Sequence, residues 1–208
     1  MSDPGAEEAQ LREQDLRGSW LEQLRAWLED ATAAGIPEPN AMVLATADAG
    51  GRPAGRTVLL KGLDEQGLVF YSNRGSRKGR ELAENPRVAA VFPWYELRRQ
   101  VIVEGSVSIV PEAVSDEYFA SRPYRSRIGA LASHQSSVIG DRGELEAAAA
   151  ELERRYPAGG EVPRPQWWGG FRIEPDAVEV WQGRRDRLHD RLRSRCEGGG
   201  WVVERLSP

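Results

Sequence analysis

The sequence predicts an α+β protein built on an antiparallel β-barrel with flanking helices. Short runs rich in Val, Leu, Ile and Phe, separated by turn residues, occupy residues 42–110. Helical patterns follow, and strand patterns return after residue 170, without the regular strand–helix alternation of a parallel sheet. We expect a mobile polar N-terminal arm over residues 1–16 and a single domain over residues 17–208.

Capping residues and turn residues predict the individual elements. Ser19 and Glu22 have the spacing of a capping box, Ser76 can cap a second helix, and Asp141 with Glu144 can cap another. The predicted helices cover residues 20–34, 76–84, 111–120, 126–132 and 141–156. The predicted strands cover residues 42–47, 55–62, 68–72, 88–92, 100–110, 170–173, 177–182, 187–195 and 201–205.

The composition excludes several classes of function. A net charge of -4 disfavours a general nucleic-acid-binding protein. One cysteine, Cys196, excludes an internal disulfide and fits a reducing cytoplasm, and with only two histidines no His/Cys metal site is expected. Since the N-terminus has no apolar signal segment and no run approaches the roughly 20 apolar residues of a membrane span, we expect a cytoplasmic protein.

Cationic residues near strand ends predict a binding site. Arg56 and Lys61 bound an apolar strand, but strict alternation places them on opposite faces, so a shared ligand requires a bend. The alternative is a core strand whose two charged ends extend into solvent. Arg77 and Lys78 fall in the first turn of a helix, where cations are unfavourable unless an anion such as phosphate binds there or the side chains are fully exposed.

Two polar segments could extend this site. Arg122 and Ser126 are four residues apart and share a face if a helical turn continues through Pro123. Gln135 and Ser136 offer amide and hydroxyl groups without charge. An exposed loop explains either segment equally well.

The segment Arg187-Leu188-His189-Asp190-Arg191 is unusually rich in charge. In an extended chain, Arg187, His189 and Arg191 lie on one face, which then requires an anionic partner or water. The alternative is a solvated edge strand. Because the chain has neither a Walker-type loop nor a G-x-G-x-x-G motif, a phosphorylated cofactor held by arginines fits these segments best.

Eight motifs follow one another along the chain and carry a resemblance to a known family. They lie at residues 56–61, 70–73, 76–78, 99–101, 118–123, 135–137, 168–170 and 181–191. Together they resemble the pyridoxamine/pyridoxine 5'-phosphate oxidases, FMN enzymes with a split-barrel flavoprotein fold. The sequence departs from the family pattern in having no Tyr before Tyr71 that could cover the substrate from the N-terminal arm.

The resemblance implies a homodimer with FMN at the subunit interface, and it assigns roles to individual residues. FMN would be bound by Arg56, Thr57, Val58, Leu59, Leu60, Lys61, Tyr71, Ser72, Arg77, Lys78, Gln100, Gln135, Ser136, Trp181 and Arg191. The substrate would be held by Lys61, Tyr118, Arg122, Ser126, Arg187 and His189, the last two positioning its ring as catalytic residues.

The implied reaction oxidises pyridoxamine or pyridoxine 5'-phosphate at C4' to pyridoxal 5'-phosphate, with O2 as acceptor and release of H2O2. Two alternatives remain open. One is a related flavin oxidase acting on a phenazine precursor, which would lack the full set Arg122, Ser126, Arg187 and His189. The other is a protein that binds flavin or pyridoxal phosphate without turnover.

Overall fold

The computed structural model describes residues 10–208, which form five α-helices and a nine-stranded antiparallel sheet. The helices are α1 (Trp20–Ala33), α2 (Arg77–Glu84), α3 (Glu112–Ser121), α4 (Tyr124–Ala132) and α5 (Arg142–Arg155). The strands are β1 (Ala41–Ala47), β2 (Pro53–Leu59), β3 (Gly62–Asp64), β4 (Gly67–Asn73), β5 (Arg87–Trp94), β6 (Arg99–Ile109), β7 (Trp168–Gln182), β8 (Asp190–Glu197) and β9 (Gly200–Arg205). The predicted α+β class with an antiparallel split barrel is confirmed.

Side-chain caps start three of the helices where the sequence predicts. The Ser19 hydroxyl accepts a hydrogen bond from the Glu22 amide at the start of α1, and Ser76 accepts one from Gly79 at the start of α2. Asp141 accepts one from the Glu144 amide at the start of α5. Each cap satisfies an amide that the first helical turn leaves without a partner.

Strand β7 organises the sheet. The strands pair in the order β2-β1-β5-β6-β7-β4-β3, and β8 and β9 branch from β7. The first half of β7 pairs with β4 and the second half pairs with β8, while β6 pairs along both halves. The sequence predicted two strands here, but a bulge opposite Glu104 and Gly105 accommodates Pro175 and lets one strand continue.

Two apolar clusters support these elements. The larger one lies between α1 and the sheet and includes Leu24, Met42, Phe70 and Phe92, all with no exposed surface. A smaller cluster under α3, α4 and α5 contains Phe119, Ile128, Val162 and Trp168. The smaller cluster matters for function because its aromatic rings also form one wall of the main cavity.

The predicted N-terminal arm lies partly outside the described residues, which begin at residue 10. Its described part contacts the C-terminal strands: the Leu11 amide donates to Asp190 at 3.1 Å, and Arg205 donates to the Leu11 carbonyl and to Glu13. Leu11 is buried. Leu11 and Glu13 are therefore packed against β8 and β9. The mobility of the arm over residues 1–16 stays a prediction.

Among residues 10–208, no helix combines the length and the apolar character that a membrane span requires.

Candidate active site

A cavity of about 880 Å³ opens between β2, β4 and the helices α2, α3 and α4. Fourteen residues predicted to bind cofactor or substrate line it: Arg56, Thr57, Val58, Leu59, Lys61, Tyr71, Ser72, Arg77, Lys78, Tyr118, Arg122, Ser126, Gln135 and Ser136. Five of these residues are cations, and no Asp or Glu of the described chain is among the lining residues. Such a cavity favours anionic ligands, since its walls concentrate one sign of charge.

Lys78 lies at the centre of a polar network at one end of this cavity. Its Nζ donates to Oγ of Ser72 at 3.0 Å and to Oε1 of Gln135 at 2.9 Å, and it lies 3.4 Å from Oγ of Ser76. Burial, helped by the nearby charge of Arg56, lowers the pKa of Lys78 to about 8. The network thus places an easily titrated cation at the capped start of α2.

Arg56 and Arg77 approach the same region from different elements and share one carboxylate. Nη2 of Arg56 donates to Glu81 at 2.9 Å, and Nε of Arg77 donates to its other oxygen at 2.7 Å. Thr46 donates to Glu81 at 2.5 Å and also accepts a hydrogen bond from Arg56. These contacts fix both arginines at the cavity wall.

The end of β2 explains how Arg56 and Lys61 reach one cavity. Strand β2 stops at Leu59, and the Lys61 amide bonds to the Val69 carbonyl, so the chain turns between the two cations. The bend that a shared ligand requires is therefore present. Leu60, which the family resemblance also assigned to FMN, is instead buried in the main core and is not among the cavity-lining residues.

Aromatic rings and Arg122 line the cavity beside α3 and α4. Tyr71 stacks on Tyr118 with ring centroids 3.9 Å apart, and Trp168 stacks behind them. The Arg122 guanidinium lies 4.8 Å from the Trp168 ring, and its buried Nη1 has no hydrogen-bond partner in the described residues. Burial lowers the pKa of Arg122. A buried donor without a partner at a cavity wall fits an anionic ligand.

The condition under which Arg122 and Ser126 would share a helical face, a turn continuing through Pro123, is not met in the structure. Helix α3 ends at Ser121, Arg122 is extended, and α4 starts anew after Pro123. The break follows from the restriction that Pro123 places on the preceding residue, which disfavours helical backbone. Both side chains nevertheless line the cavity.

The remaining predicted residues form a second group, which does not line the cavity. Gln100 of β6 pairs with Trp181 of β7, and Trp181 pairs with Arg191 of β8, so the three residues form a row across adjacent strands. The His189 ring lies 4.8 Å from the Trp181 ring. Arg191 forms two hydrogen bonds with Glu179, at 2.7 and 2.9 Å.

The prediction that Arg187, His189 and Arg191 lie on one face of a strand is wrong for the first of these residues, because the strand does not begin at Arg187. Residues 185–187 form a single 3-10 turn in which Asp186 and Arg187 have positive φ, and β8 begins only at Asp190. The Arg184 amide donates to Nδ1 of His189 at 3.0 Å. Neutral His189 therefore carries its ring proton on Nε2, which makes that nitrogen a hydrogen-bond donor.

The two groups lie at opposite ends of β7. Gly170 pairs with Tyr71 beside the cavity, whereas Trp181 belongs to the second group. Eleven residues at a rise of about 3.3 Å correspond to roughly 35 Å along the strand. Within a single chain, the cavity and the second group are therefore separated along β7.

Two protein-family models together cover all the predicted site residues. Residues 28–156 match the model of pyridoxamine 5'-phosphate oxidase, and residues 168–208 match the model of the pyridoxine 5'-phosphate oxidase C-terminal dimerisation region. The chain belongs to the pyridoxamine 5'-phosphate oxidase family. The resemblance seen in the sequence motifs is confirmed, and the second group, apart from Gln100, lies in the dimerisation region of this family.

Close relatives in this oxidase family come from several bacteria. The chain is 56% identical to a pyridoxine/pyridoxamine 5'-phosphate oxidase of Frankia alni over 95% of its own length and 84% of the relative. It is 54% identical to the enzyme of the same name from Salinispora arenicola, covering 95% of this chain and 90% of the relative.

Solved structures show the same fold. PhzG from Burkholderia lata, in complex with tetrahydrophenazine-1-carboxylic acid, aligns with a TM-score of 0.88 and 35% identity, over 94% of this chain and 95% of that one. An FMN-binding protein from Nostoc punctiforme related to pyridoxamine 5'-phosphate oxidase aligns with a TM-score of 0.74 over 92% of this chain and 99% of that one. At 16% identity, this second similarity supports the fold alone.

The sequence analysis missed three residues that shape the site. Glu81 and Thr46 fix the two arginines, and Trp168 supports Arg122 and Tyr118. Glu81 could have been found, because it lies four residues after Arg77 on one helix and can pair with it. The role of Thr46 depends on pairing between β1 and β2 and has no local signal.

Proposed function

We propose that this protein oxidises pyridoxamine 5'-phosphate and pyridoxine 5'-phosphate to pyridoxal 5'-phosphate, with FMN as cofactor, O2 as acceptor and H2O2 as a product. The observation that carries this proposal is the cavity with five cations and no lining carboxylate, whose cations include one group at the start of α2 and another between α3 and α4. The first group suits the phosphate of the cofactor and the second suits the phosphate of the substrate. The names of relatives at 54–56% identity support the same reaction.

The residues at the start of α2 fit the phosphate of FMN. Ser76 caps the helix, Arg77 and Lys78 supply charge, and Ser72 with Gln135 supplies further polar groups. A helix start with two cations is unfavourable by itself and becomes favourable with a bound dianion. When bound, the flavin would supply two-electron oxidation of the substrate carbon and subsequent reduction of O2.

The residues around Arg122 fit the phosphate of the substrate. Arg122 offers the unpartnered Nη1, and Tyr118, Ser126 and Lys61 add further donors at the cavity. Stacking of Tyr118 on Tyr71 and packing of Arg122 against Trp168 hold two of these donors in place. The phosphate would thereby fix the substrate so that C4' is oriented for oxidation.

A second subunit would complete the site. The group formed by Gln100, Trp181, Arg187, His189 and Arg191 is too far along β7 to serve the cavity of its own chain. Four of these residues lie in the region that matches the family dimerisation model. We therefore assign Gln100, Trp181 and Arg191 to the flavin, and Arg187 with Nε2 of His189 to the pyridine ring, in the cavity of the partner subunit.

A phenazine-precursor oxidase is the second candidate, favoured by the 35% identity to PhzG from Burkholderia lata. A carboxylate such as that of tetrahydrophenazine-1-carboxylic acid can also accept hydrogen bonds from Arg122. The 54–56% identity to pyridoxine/pyridoxamine 5'-phosphate oxidases, against 35% to PhzG, favours the phosphorylated substrate instead. We also propose a cytoplasmic location, where an exposed thiol such as Cys196 stays reduced.

Oxygen consumption tests the proposed function. Purified yellow protein is mixed with pyridoxamine 5'-phosphate or pyridoxine 5'-phosphate in air, and O2 uptake, H2O2 and aldehyde are measured. We expect all three signals with both compounds and much weaker ones with unphosphorylated pyridoxamine. Flavin-loaded protein that produces neither aldehyde nor peroxide would exclude the oxidase, and activity restricted to reduced phenazine precursors would favour the second candidate.

A further inference from the structure

Glu81 is a nearly buried carboxylate that does not line the cavity but binds two residues that do. Its side chain is 7% exposed. One carboxylate oxygen accepts hydrogen bonds from Arg56 at 2.9 Å and from Thr46 at 2.5 Å, and the other accepts one from Arg77 at 2.7 Å. The three donors come from β2, β1 and α2, so Glu81 joins all three elements behind the cavity wall.

The charge of Glu81 compensates the cations that the cavity concentrates. Burial alone would raise the pKa of Glu81, but the hydrogen bonds from Thr46, Arg77 and Arg56 outweigh this effect and keep the pKa below its ordinary value. The carboxylate is therefore ionised at neutral pH. Without it, Arg56 and Arg77 would repel each other in the absence of a ligand.

The two terminal nitrogens of the Arg77 guanidinium remain available to bind a ligand. Its Nε donates to Glu81, whereas its two terminal nitrogens have no hydrogen-bond partner among residues 10–208. Arg77 lines the cavity and its side chain is half exposed. Glu81 thus restricts a long, flexible side chain at its base and leaves the terminal donors facing the ligand space.

We propose that Glu81 is a positioning residue that fixes Arg56 and Arg77 for the phosphate of the flavin, and that it thereby makes the protein select FMN over riboflavin. This inference rests on the proposed function, since it assumes a phosphorylated flavin at the start of α2. Pre-arranged donors bind an anion more tightly because less side-chain freedom is lost on binding.

Binding of FMN and riboflavin to flavin-free protein tests this role, with quenching of flavin fluorescence as the readout. Glu81→Gln keeps the size of the side chain but presents an NH2 group to donors and removes the charge. We expect FMN affinity to fall about tenfold or more, as for loss of a charge-assisted interaction, while riboflavin affinity changes less than about twofold. Glu84→Gln, on the same helix and exposed, is the matched control and should change neither affinity.

A second experiment separates positioning from a general structural role. In an Arg77→Ala background, Glu81→Gln should weaken FMN binding much less, since Glu81 acts partly through Arg77. Equal loss of FMN and riboflavin affinity, or no loss of either, would overturn the inference. If Glu81→Gln does not fold, Thr46→Val removes one of the three donors and should give a smaller loss restricted to FMN; unchanged FMN affinity would then refute the role.

Different results would contradict the proposed function and the role of Glu81. If the unmodified protein binds neither flavin, the proposed function is wrong and the role of Glu81 falls with it. If the unmodified protein prefers FMN and Glu81→Gln has the same preference, only the positioning role is wrong.

Discussion

The ammonium group of Lys78 donates to the side-chain oxygen of Gln135 at 2.9 Å, although the two residues are 57 positions apart in the chain. This contact joins the start of α2 to the loop between α4 and α5. It also holds a lysine with a pKa near 8 where an anion is expected. The protonation of one residue can therefore control binding at this end of the cavity.

We predict that FMN affinity falls as pH rises through about 8, because Lys78 then loses the charge that attracts the phosphate. The stability of the flavin-free protein should instead increase with pH over this range. The folded pKa lies below the ordinary value of 10.5, so between about 8 and 10.5 the unfolded chain binds more protons and the free energy of unfolding rises with pH. Flavin titrations from pH 6.5 to 9.5 measure the first effect. Lys78→Met should weaken FMN binding and flatten this pH dependence; a variant with unchanged affinity would refute the phosphate site.

Arg122→Ala should raise KM for the phosphorylated substrates by about tenfold or more, since a charge-assisted bond to phosphate is lost. FMN content should remain normal, because Arg122 packs against Trp168 and has no contact with the Lys78, Ser72 and Gln135 network in the described residues. Steady-state kinetics and flavin absorbance measure the two quantities. Arg125→Ala, an exposed neighbour on α4 that does not line the cavity, is the control. A parallel loss of flavin would contradict the division of the cavity cations into two groups.

Arg187→Ala should lower kcat/KM by about tenfold or more while FMN occupancy survives, because this residue is assigned to the substrate ring. The exposed neighbour Arg185 provides a control through Arg185→Ala. Absorbance of the purified variant gives the flavin content, and oxygen uptake gives the turnover. If Arg187→Ala loses flavin in proportion to activity, its assignment to the substrate is wrong.

Subunit mixing tests whether two chains build each site. Lys78→Met and Arg187→Ala damage different groups, so a mixed dimer contains one site with both changes and one with neither. Random exchange of the two impaired parents in equal amounts should give about a quarter of all sites with neither change, and activity should rise accordingly above that of either parent. Assays after partial denaturation and refolding of the mixture measure this gain, and each parent refolded alone gives the baseline. Absence of any gain, with mixed dimers shown to form, would indicate that each chain builds its site alone.

Local signals predicted much of the fold. The caps Ser19, Ser76 and Asp141 mark helix starts that depend only on neighbouring residues, and these starts are confirmed. The start of β8 was misplaced because Asp186 and Arg187 adopt positive φ. Positive φ is usually signalled in a sequence by glycine, and neither residue is a glycine. Two strands were predicted over residues 170–173 and 177–182, yet β7 is continuous, with Pro175 paired to Gly105 at the bulge.

The cavity was only partly predictable for a related reason. Arg77 and Lys78 could be recognised from local sequence, because two cations in the first turn of a helix are unfavourable unless an anion binds there. The contact between Lys78 and Gln135 and the contribution of Thr46 depend on loop and strand pairings between distant segments. The distance between Gly170 and Trp181 depends on β7 being one continuous strand, which the sequence divided in two.

The change of partner along β7, from β4 to β8, has a practical consequence for measurements on this protein. If each strand serves one site with its first half and another with its second half, the separated chain can be fully folded and still inactive. Below the dissociation constant of the dimer, turnover per volume should then scale with the square of protein concentration. Specific activity measured at nanomolar enzyme would report subunit association as much as chemistry, and dilution would resemble inhibition.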